Sequence, residues 1–241
     1  MYRECFVTYL KENCFTNNPL QNIVDYLLKN EEASYTRAQL VLAWAGKKIK
    51  EALPLALAVE CLHCASLFHD DLPCMDDGKT RRGKPCAHIE FNEAGAVLAG
   101  DAAIALAYSM ILSSQLSAED KIRAIDYLSY TLYTMCEGQY KEIIKADEDI
   151  AIINREKTAH LIATACYLGA LASGDEQAPE SAIRYGLALG QNYQIIDDIK
   201  DNDGITLYYS KEEIQSFLEM NKKIYSDAPT SFLRALGTKL Y

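Results

Sequence analysis

The stretch Asp70–Pro85 reads DDLPCMDDGKTRRGKP, and it decides how the rest of the chain is interpreted. Its first seven residues hold three carboxylates, those of Asp70, Asp71 and Asp76. Carboxylates this close repel one another unless a cation lies between them, and Mg²⁺ binds one or two carboxylates together with substrate phosphates. The adjacent Arg81 and Arg82 suit phosphate oxygens, because a planar guanidinium binds them through two parallel hydrogen bonds. The stretch predicts a diphosphate site bridged by magnesium, although an acidic turn beside a basic one can also be simply solvated.

A second acidic cluster lies far along the chain, in Gln191–Asp201, which reads QNYQIIDDIKD. It ends an apolar run of helical length. On a helix, Asp197 and Asp201 are four residues apart and share a face, with Asp198 beside them. One acidic pair at a helix end is usually a cap or a solvated surface. Two such clusters, each ending an apolar helix, indicate a shared site for cations.

With both clusters, the chain resembles the trans-isoprenyl diphosphate synthases of the polyprenyl synthetase family. The family's first motif, DDxxxxD followed by RRG, is matched by Asp70, Asp71, Asp76, Arg81, Arg82 and Gly83. Its second motif, DDxxD after a glutamine, is matched by Gln194, Asp197, Asp198 and Asp201. Three weaker signatures follow the family's order, at Gly100–Asp101, Glu137–Gln139 and Lys157–Thr158. The resemblance, to farnesyl and geranylgeranyl diphosphate synthases of bacterial and plastid type, implies an all-α helical bundle of the isoprenoid-synthase type around a central cavity.

Composition independently favours an all-α chain. The 241 residues include only 12 glycines and 6 prolines, and long stretches rich in Ala, Leu and Ile have helical length. No run alternates apolar and polar residues for long enough to predict a sheet. Helices are expected at 2–15, 19–29, 35–50, 53–71, 90–112, 119–145, 152–171 and 181–200, with a shorter helical tail over 211–240. Since neither a linker nor an internal repeat is visible, we expect one domain over residues 1–241.

Cysteine usage and the N-terminal sequence favour the cytoplasm. The eight cysteines follow no spaced framework, which is typical of reduced, buried thiols. The first 30 residues lack the features of a signal peptide, and no 18-residue apolar stretch is free of polar residues, so no integral membrane span is expected. A removed transit peptide would make an organelle the alternative. Cys61 and Cys64 have a CxxC spacing, but without a second pair a zinc site is not expected.

Net charge limits the partners. The chain carries 34 acidic and 24 basic residues, a formal net charge of −10. Nucleic acids are bound by basic surfaces, so a nucleic-acid partner is not expected. An anionic substrate would have to be attracted by metal ions and a few placed cations rather than by the overall field of the protein.

The resemblance implies a magnesium-dependent prenyltransferase that condenses isopentenyl diphosphate with an allylic diphosphate (dimethylallyl, geranyl or farnesyl). Such a reaction needs cations that stabilise a departing diphosphate rather than a nucleophilic side chain. The catalytic residues implied by the family are Asp70, Asp71, Asp76, Lys157 and Asp197. Three Mg²⁺ ions would be held by Asp70, Asp71, Asp76, Asp197, Asp198 and Asp201. The allylic diphosphate would be bound by Arg81, Lys157, Thr158, Gln194 and Lys200.

The site for isopentenyl diphosphate is where the sequence departs from the family pattern. The resemblance assigns Arg37, His63 and Arg82 to this site. The family's GGKRxRP segment corresponds to Asn30–Ala38, which matches only through Arg37 and lacks the expected lysine and first arginine. The loops after Lys141 and Asp201 are also shorter than in the family. Either mobile loop segments are missing from the printed sequence, or the protein has lost acceptor binding.

Product length is expected to depend on the helix that leads into Asp70. In the family, a bulky aromatic residue five positions before this aspartate stops growth at fifteen carbons. Here that position is Ala65, flanked by Cys64 and Ser66, so the resemblance implies a twenty-carbon product, geranylgeranyl diphosphate. Farnesyl diphosphate is the alternative if another residue closes the tunnel earlier, such as Tyr108 or Met110.

Two further classes of function stay open, and so does the assembly. A non-catalytic subunit of a heteromeric synthase would explain the missing basic segment, whereas both complete acidic motifs argue against it. A terpene cyclase on the same fold needs no acceptor site, but it leaves His63 and Arg82 without an evident role. Family precedent makes a homodimer the expected assembly.

Overall fold

The computed structural model describes residues 1–13, 18–147, 149–202 and 204–238, without the side chains at 201, 237 and 238. These residues are almost wholly helical, so the predicted all-α class is confirmed. The α-helices are α1 (Tyr2–Glu12), α2 (Pro19–Leu28), α3 (Thr36–Trp44), α4 (Ile49–Asp70), α5 (Ala87–Glu90), α6 (Glu93–Ser113), α7 (Ala118–Ile143), α8 (Ile150–Asn154), α9 (His160–Ser173), α10 (Ala178–Asp201), α11 (Lys211–Ser226) and α12 (Ser231–Thr238). A π-helical turn, Arg155–Ala159, joins α8 to α9, and a 3₁₀ turn, Gly204–Leu207, follows α10.

A two-stranded antiparallel ribbon, which the sequence did not predict, follows the first acidic motif. It pairs β1 (Thr80–Arg81) with β2 (Lys84–Pro85). Two-residue strands are too short to show the alternating pattern that reveals a strand in a sequence. At the tip, Arg82 and Gly83 have φ angles of +51° and +73°, the left-handed conformation that suits a tight hairpin. The ribbon therefore turns Arg81 back towards the end of α4.

Helix α4 forms the centre of the bundle and ends at the first acidic motif. Its side chains are buried around most of its circumference, and it packs against α3, α6 and α9. A helix that is apolar on all sides is typical of a core position. Most buried apolar side chains belong to one cluster around α4 and α9, and a smaller cluster, Ile195, Ile205, Ile214 and Leu218, lies beside the second acidic motif. The single domain expected from the sequence stays a prediction.

Helix α10 approaches the π-helical turn and α9 closely, because glycines line its contact face. A Cβ at Gly190 would lie 2.5 Å from the Cα of Ala159, and one at Gly186 would lie 2.4 Å from the Cα of Ala163. Backbones can therefore meet without intervening side chains. This contact brings the second acidic motif on α10 beside the cavity-lining residues of the π-helical turn.

Several predicted helix boundaries were wrong, and local caps explain two of them. The stretch 90–112 is divided, because the side chain of Asn92 accepts a hydrogen bond from the backbone of Gly95 and starts α6. The predicted helical tail over 211–240 forms two helices up to residue 238, beyond which it lies outside the described residues, and the second helix is capped by Thr230. The stretch 35–50 ends at Trp44, and α4 begins at Ile49.

Two described helices, α4 and α6, are long and apolar enough to cross a membrane by length and composition alone. Within the bundle, the apolar window of α4 is 72% buried, as in a core helix, whereas that of α6 is 33% buried. Core helices of proteins without membrane spans meet the same criterion, so the expected absence of a span stays a prediction.

Candidate active site

The first acidic motif closes into a compact loop at the end of α4. The backbone N–H of Asp76 donates to the carbonyl of Asp70 across 2.9 Å, which brings the first and last aspartates together. The pKa of Asp70 is raised to about 6, first by burial and then by the carboxylate of Asp76, against the opposing effect of Lys157. A carboxylate whose pKa is raised by a neighbouring carboxylate marks a place where a cation is favoured.

The middle aspartate of this motif has a different environment from the one expected. The carboxylate of Asp71 is 1% exposed and accepts from Nε and Nη2 of Arg81 at 3.1 and 2.5 Å. Arg81 was expected to contact the allylic diphosphate, but in the structure its guanidinium holds Asp71. Asp71 therefore does not present a free carboxylate to a metal.

Asp76 has one partner that the sequence-based assignment missed. Nε2 of Gln139 donates to Oδ1 of Asp76 across 3.3 Å, and Gln139 lines the main cavity from α7. The Glu137–Gln139 signature pointed to this helix but gave no role to its glutamine. In the structure Gln139 orients the last carboxylate of the first motif.

The main cavity lies beneath the first acidic motif and has a volume of about 290 Å³. Its polar lining includes Arg37, His63, Asp70, Lys157 and Thr158. Its apolar lining comes from α4, α6, α7 and α9, through Leu62, Ala65, Ile104, Leu132, Met135 and Leu161. A cavity lined by both charged and apolar side chains suits a molecule with an anionic head and a hydrocarbon tail.

Lys157 and Thr158 reach the cavity from the π-helical turn. The turn lies directly against α7, at Gly138. A Cβ added to this glycine would be only 2.7 Å from the backbone nitrogen of Lys157. The ammonium group of Lys157 is paired with Glu142, and a neighbouring ion pair joins Lys141 to Glu156 across 2.8 Å. Glu142 was not among the predicted site residues.

The second acidic motif lines an adjoining cavity of about 170 Å³. Asp197 faces this cavity together with Tyr193 and Gln194. Arg37 and Thr158 line both cavities, so the two motifs open onto one connected region. Lys200, expected at the diphosphate, is exposed and contacts the carboxylate of Asp197 at 3.2 Å. The side chain of Asp201 lies outside what the structure describes.

Asp198 is buried and surrounded by donors rather than facing either cavity. Its carboxylate accepts from Asn154 at 3.0 Å, from Gln194 at 2.7 Å and from the backbone N–H of Ile205 at 2.9 Å. The side-chain oxygen of Gln194 in turn accepts from the hydroxyl of Thr158 at 3.1 Å. The expected pair Gln194 and Thr158 is thus brought together, and Asn154 is a further member that the sequence did not reveal.

The residues expected to bind the acceptor lie near one another. The pKa of His63 is well below its ordinary value because of burial and because of the positive charges of Arg37, Arg82 and Arg81, so the imidazole is neutral. Nε of Arg37 is buried without a hydrogen-bond partner, while the guanidinium of Arg82 donates to the carbonyl of Leu27 across 3.0 Å. A cationic cluster with an unpaired buried donor is suited to an anion.

Buried Glu60, also missed from the sequence, faces this cationic cluster. Its carboxylate is 2% exposed and accepts from the backbone N–H of Ala38 across 2.9 Å. Burial raises its pKa, while Arg37 and Arg82 lower it. Glu60 balances part of the positive charge and caps the first turn of α3.

The segment Asn30–Ala38, which departs from the family pattern, places neutral groups at the second cavity. Ser34 lines that cavity, and its hydroxyl lies 3.0 Å from that of Thr36. The buried Tyr35 donates to the carbonyl of Leu28 across 2.9 Å, and burial raises its pKa to about 12. Arg37 is therefore the one cation that this segment brings to the cavities.

The structure separates the three residues expected to control product length. Ala65 and Ser66 line the main cavity, whereas Cys64 is buried on another side of α4 and is not part of the lining. Tyr108 and Met110, the alternative residues for closing the tunnel, do not belong to the lining either. The hydroxyl of Tyr108 is hydrogen-bonded to that of Ser129 across 3.0 Å, and Met110 packs against the core. Ile104 and Leu132 are apolar members of that lining.

The donors in this region fit magnesium. Three carboxylates, those of Asp70, Asp76 and Asp197, are partly or fully exposed and supply the oxygen ligands that Mg²⁺ prefers. Over the described part of the chain, no group of three His, Cys, Asp or Glu side chains forms a ready-made metal site. Phosphate oxygens of a substrate would have to complete the coordination, as is usual for Mg²⁺.

A helical bundle with two acidic motifs on connected cavities defines an isoprenyl synthase fold, and a solved structure agrees. The geranyltransferase of Helicobacter pylori, complexed with magnesium and isoprenyl diphosphate, superposes with a TM-score of 0.81 at 25% identity, covering 99% of this chain and 93% of that one. A family model described as polyprenyl synthetase matches residues 17–213. The chain therefore belongs to the polyprenyl synthetase family.

The curated relatives of this chain are named for two different products. A farnesyl diphosphate synthase of Haemophilus influenzae is 36% identical over 181 residues, which cover 70% of this chain and 61% of that protein. The chloroplastic geranylgeranyl pyrophosphate synthase 11 of Arabidopsis thaliana is 39% identical over 164 residues, 62% of this chain and 46% of that protein. The chain thus spans about half to three fifths of the relatives that it matches.

Proposed function

We propose that this protein is a magnesium-dependent trans-prenyltransferase that condenses isopentenyl diphosphate with an allylic diphosphate. The observation that carries the proposal is the connection of both acidic motifs through Arg37 and Thr158, which line the two cavities. The named relatives and the polyprenyl synthetase match support the same class of reaction.

The cation site is proposed at Asp70, Asp76 and Asp197, with three magnesium ions as the expected number. Bound magnesium would supply positive charge that offsets the charge of the diphosphate as it leaves. Lys157 lines the same cavity as Asp70, and its positive charge lowers the pKa of the Asp70 carboxyl. Lys157 can therefore contact the departing diphosphate directly and hold it next to the cavity mouth.

Elongation begins when the C–O bond of the allylic diphosphate breaks and leaves an allylic cation. The double bond of isopentenyl diphosphate attacks this cation, a C–C bond forms, and one proton is lost from the acceptor. Thr158 and Gln194 place neutral oxygens at the junction of the two cavities. Such oxygens stabilise positive charge without reacting with it, and the apolar lining excludes water from the cation.

The acceptor diphosphate is proposed to bind at Arg37, His63 and Arg82. Arg37 lines both cavities and has a buried Nε without a hydrogen-bond partner, and neutral His63 can donate one N–H to an anion. Ser34 replaces the lysine of the family pattern and offers only a hydroxyl. This substitution is also what favours a second candidate function, a subunit with weak acceptor binding that acts with a partner.

The proposed product is geranylgeranyl diphosphate, with farnesyl diphosphate as the alternative. Small side chains at Ala65 and Ser66 leave the cavity open beside α4. The named relatives include both kinds of synthase, so they support the reaction class and not one length.

A homodimer in the cytoplasm is proposed as the working form. The outer faces of α6 and α7 expose large apolar side chains, with Leu98 55%, Leu112 58% and Tyr133 70% exposed. We take these exposed apolar side chains as the surface that a second copy of the chain would cover. Sedimentation equilibrium of the purified protein tests the assembly, and a monomer at micromolar concentration would contradict it.

Product analysis tests the proposed reaction. The purified protein is incubated with isopentenyl diphosphate, Mg²⁺ and the five-, ten- or fifteen-carbon allylic diphosphate, and products are identified by mass. We expect elongated diphosphates that disappear with EDTA and in Asp70→Asn. A hydrocarbon or alcohol would indicate a terpene cyclase. Absence of turnover that is restored by a partner subunit would indicate the heteromeric alternative.

A further inference from the structure

We propose that Tyr35 is a positioning residue for acceptor binding, which is held by α1 and sets the backbone turn that brings Ser34 and Arg37 to the second cavity. When the family pattern is aligned through Arg37, its first arginine falls at Tyr35. The inference rests on the proposed function for the identity of the acceptor. The contacts that support it are independent of any reaction.

Tyr35 precedes α3 in a backbone conformation that bulky residues rarely adopt. Its φ and ψ angles are +51° and +39°, in the left-handed region. A residue with a side chain is strained there, and such strain persists where the surrounding structure holds it, most often at functional sites. Ser34, Thr36 and Arg37 line the second cavity, whereas the side chain of Tyr35 belongs to the buried core. The left-handed turn therefore separates one buried side chain from the cavity-lining residues on both sides of it.

The first turn of α3 is capped by another helix. The residue before a helix usually accepts a hydrogen bond from a backbone N–H of the first turn, but the side chain of Tyr35 makes no such bond. The carboxylate of Glu60, on α4, accepts from the N–H of Ala38 instead. Because Glu60 supplies the cap, the side chain at residue 35 is available to hold the turn that carries Arg37.

The side chain of Tyr35 is fixed by contacts with α2 and α1. It is 6% exposed, and its hydroxyl donates to the carbonyl of Leu28 and lies 3.2 Å from the carbonyl oxygen of Asn30. Its ring packs against that of Phe6, on α1, with the ring centroids 5.2 Å apart. A close-packed ring with a satisfied hydroxyl has little freedom to move, so these contacts hold the backbone at residue 35.

Arg3, also on α1, holds the loop that leads to Tyr35. Nη2 of Arg3 donates to the carbonyls of Glu31 and Ala33 across 3.2 and 3.1 Å. Its Cζ lies 5.6 Å from the centroid of the Tyr35 ring, within the range of a cation–π contact. Arg3 is exposed, and the described linings of both cavities do not include it. Arg3 can therefore influence the acceptor site through the loop that it holds.

The experiment compares Tyr35→Phe and Arg3→Met with Tyr225→Phe, the matched control. Tyr225 is also buried, and its hydroxyl donates to the carbonyl of Ala188 across 2.9 Å. Kinetics with geranyl and isopentenyl diphosphates give kcat and the KM for each substrate. Tyr35→Phe and Arg3→Met should raise the KM for isopentenyl diphosphate about fivefold or more, and leave kcat and the other KM within about twofold. Both Tyr→Phe variants should lower Tm by about 2–6 °C, but the control should keep both KM values.

A Tyr35→Phe protein that loses Tm like the control but keeps the KM for isopentenyl diphosphate would overturn the proposal, because Tyr35 would then only stabilise the fold. An equal rise in both KM values would also overturn it, since the effect would not be specific to the acceptor. If Tyr35→Phe does not fold, Arg3→Met decides, because it changes an exposed side chain and spares the core. An unchanged KM for isopentenyl diphosphate in Arg3→Met would then overturn the proposal.

Hydrogen exchange distinguishes failure of this proposal from failure of the proposed function, because it needs no substrate. The backbone amides of residues 30–39, followed by mass spectrometry, should exchange about threefold faster or more in Tyr35→Phe and Arg3→Met than in the parent. In Tyr225→Phe they should exchange at the parent's rate. If the parent makes no elongated product, the proposed function fails, and the exchange rates still test whether Tyr35 and Arg3 hold the segment. Unchanged rates in both variants would overturn that role.

Discussion

The imidazole of His69 lies directly against the backbone of Gly100, so that a Cβ at residue 100 would be 2.1 Å from Nε2 of His69. Nε2 also lies 3.2 Å from the carbonyl oxygen of Val97, which is on α6 like Gly100. His69 precedes Asp70 and lines the main cavity. The close contact between α4 and α6 thus fixes the position of the first acidic motif.

Gly100→Ala should displace His69 and shift the end of α4. We expect a loss of about 1–3 kcal/mol in the free energy of unfolding, the usual cost of inserting a methyl group into a packed site. Catalytic efficiency should fall with it, because Asp70 would move. Chemical denaturation and kcat/KM are the measurements. Ser109→Ala, on the exposed face of α6, is the control and should stay within about 0.5 kcal/mol.

Replacing Asp70 should stabilise the metal-free protein at neutral pH. The folded-state pKa of Asp70, about 6, lies above its ordinary value of 3.8, so the folded protein binds the proton more tightly than the unfolded chain. Stability from this group is present below pH 4 and is lost as the pH rises to about 6. Asp70→Asn should therefore gain about 1–3 kcal/mol at pH 7.

The same gain should fall below about 1 kcal/mol near pH 4, where folded Asp70 is protonated and the unfolded chain is only about half ionised at this residue. Thermal melts of the two proteins at pH 4 and pH 7 measure the difference. An equal gain at both pH values would show that the effect is not due to the buried charge.

Lys157 should govern the pH dependence of the reaction as well as its rate. Its positive charge lowers the pKa of Asp70, which must be ionised to hold a cation. Lys157→Met should lower kcat by about 100-fold, and should shift the rise of activity near pH 6 to higher pH. Lys157→Arg keeps the charge and should keep the original pH profile. If Lys157→Met keeps the original pH profile, the charge of Lys157 does not control the ionisation of Asp70.

Ser34→Lys should restore a cation to the second cavity. We expect the KM for isopentenyl diphosphate to fall about tenfold, the worth of one charged hydrogen bond, while the KM for the allylic substrate stays constant. Ser34→Gln has a long side chain without charge and is the matched control. If both variants lower KM equally, length rather than charge is responsible, and the acceptor diphosphate does not bind beside residue 34.

Ala65→Tyr should shorten the product by one isoprene unit, because Ala65 lines the cavity and a tyrosine ring there would fill part of its volume. Mass analysis of the products gives the chain length. Cys64→Ala changes the neighbouring residue on the side of α4 that the cavity does not reach, and it should leave the length unchanged. An unchanged product in Ala65→Tyr would place the floor of the tunnel elsewhere.

The all-α class could be predicted from the sequence because its apolar stretches have helical length. It also indicated that His63, Arg37 and Arg82 would gather, since the family resemblance places them together. The different roles of adjacent aspartates could not be read from it. Asp197 and Asp198 are identical in sequence terms, and only the three-dimensional positions of Asn154 and Ile205 show which one is buried.

Other features depended equally on long-range contacts. The ribbon after the first motif consists of strands of two residues, too short for a pattern. Glu60 lay inside an apolar run, where nothing in the sequence indicated that its carboxylate would cap α3 and face Arg37. The separation of Cys64 from Ala65 follows from the helical phase of α4 relative to α7, which depends on packing.

The central claim is that both diphosphates react in one site, and ³¹P NMR of a single incubation tests it most directly. The purified protein receives Mg²⁺, geranyl diphosphate and isopentenyl diphosphate, and both substrates and released inorganic diphosphate are followed together. We predict that one inorganic diphosphate appears for each isopentenyl diphosphate consumed, and that none appears without it. Release of diphosphate that does not depend on isopentenyl diphosphate would contradict the account.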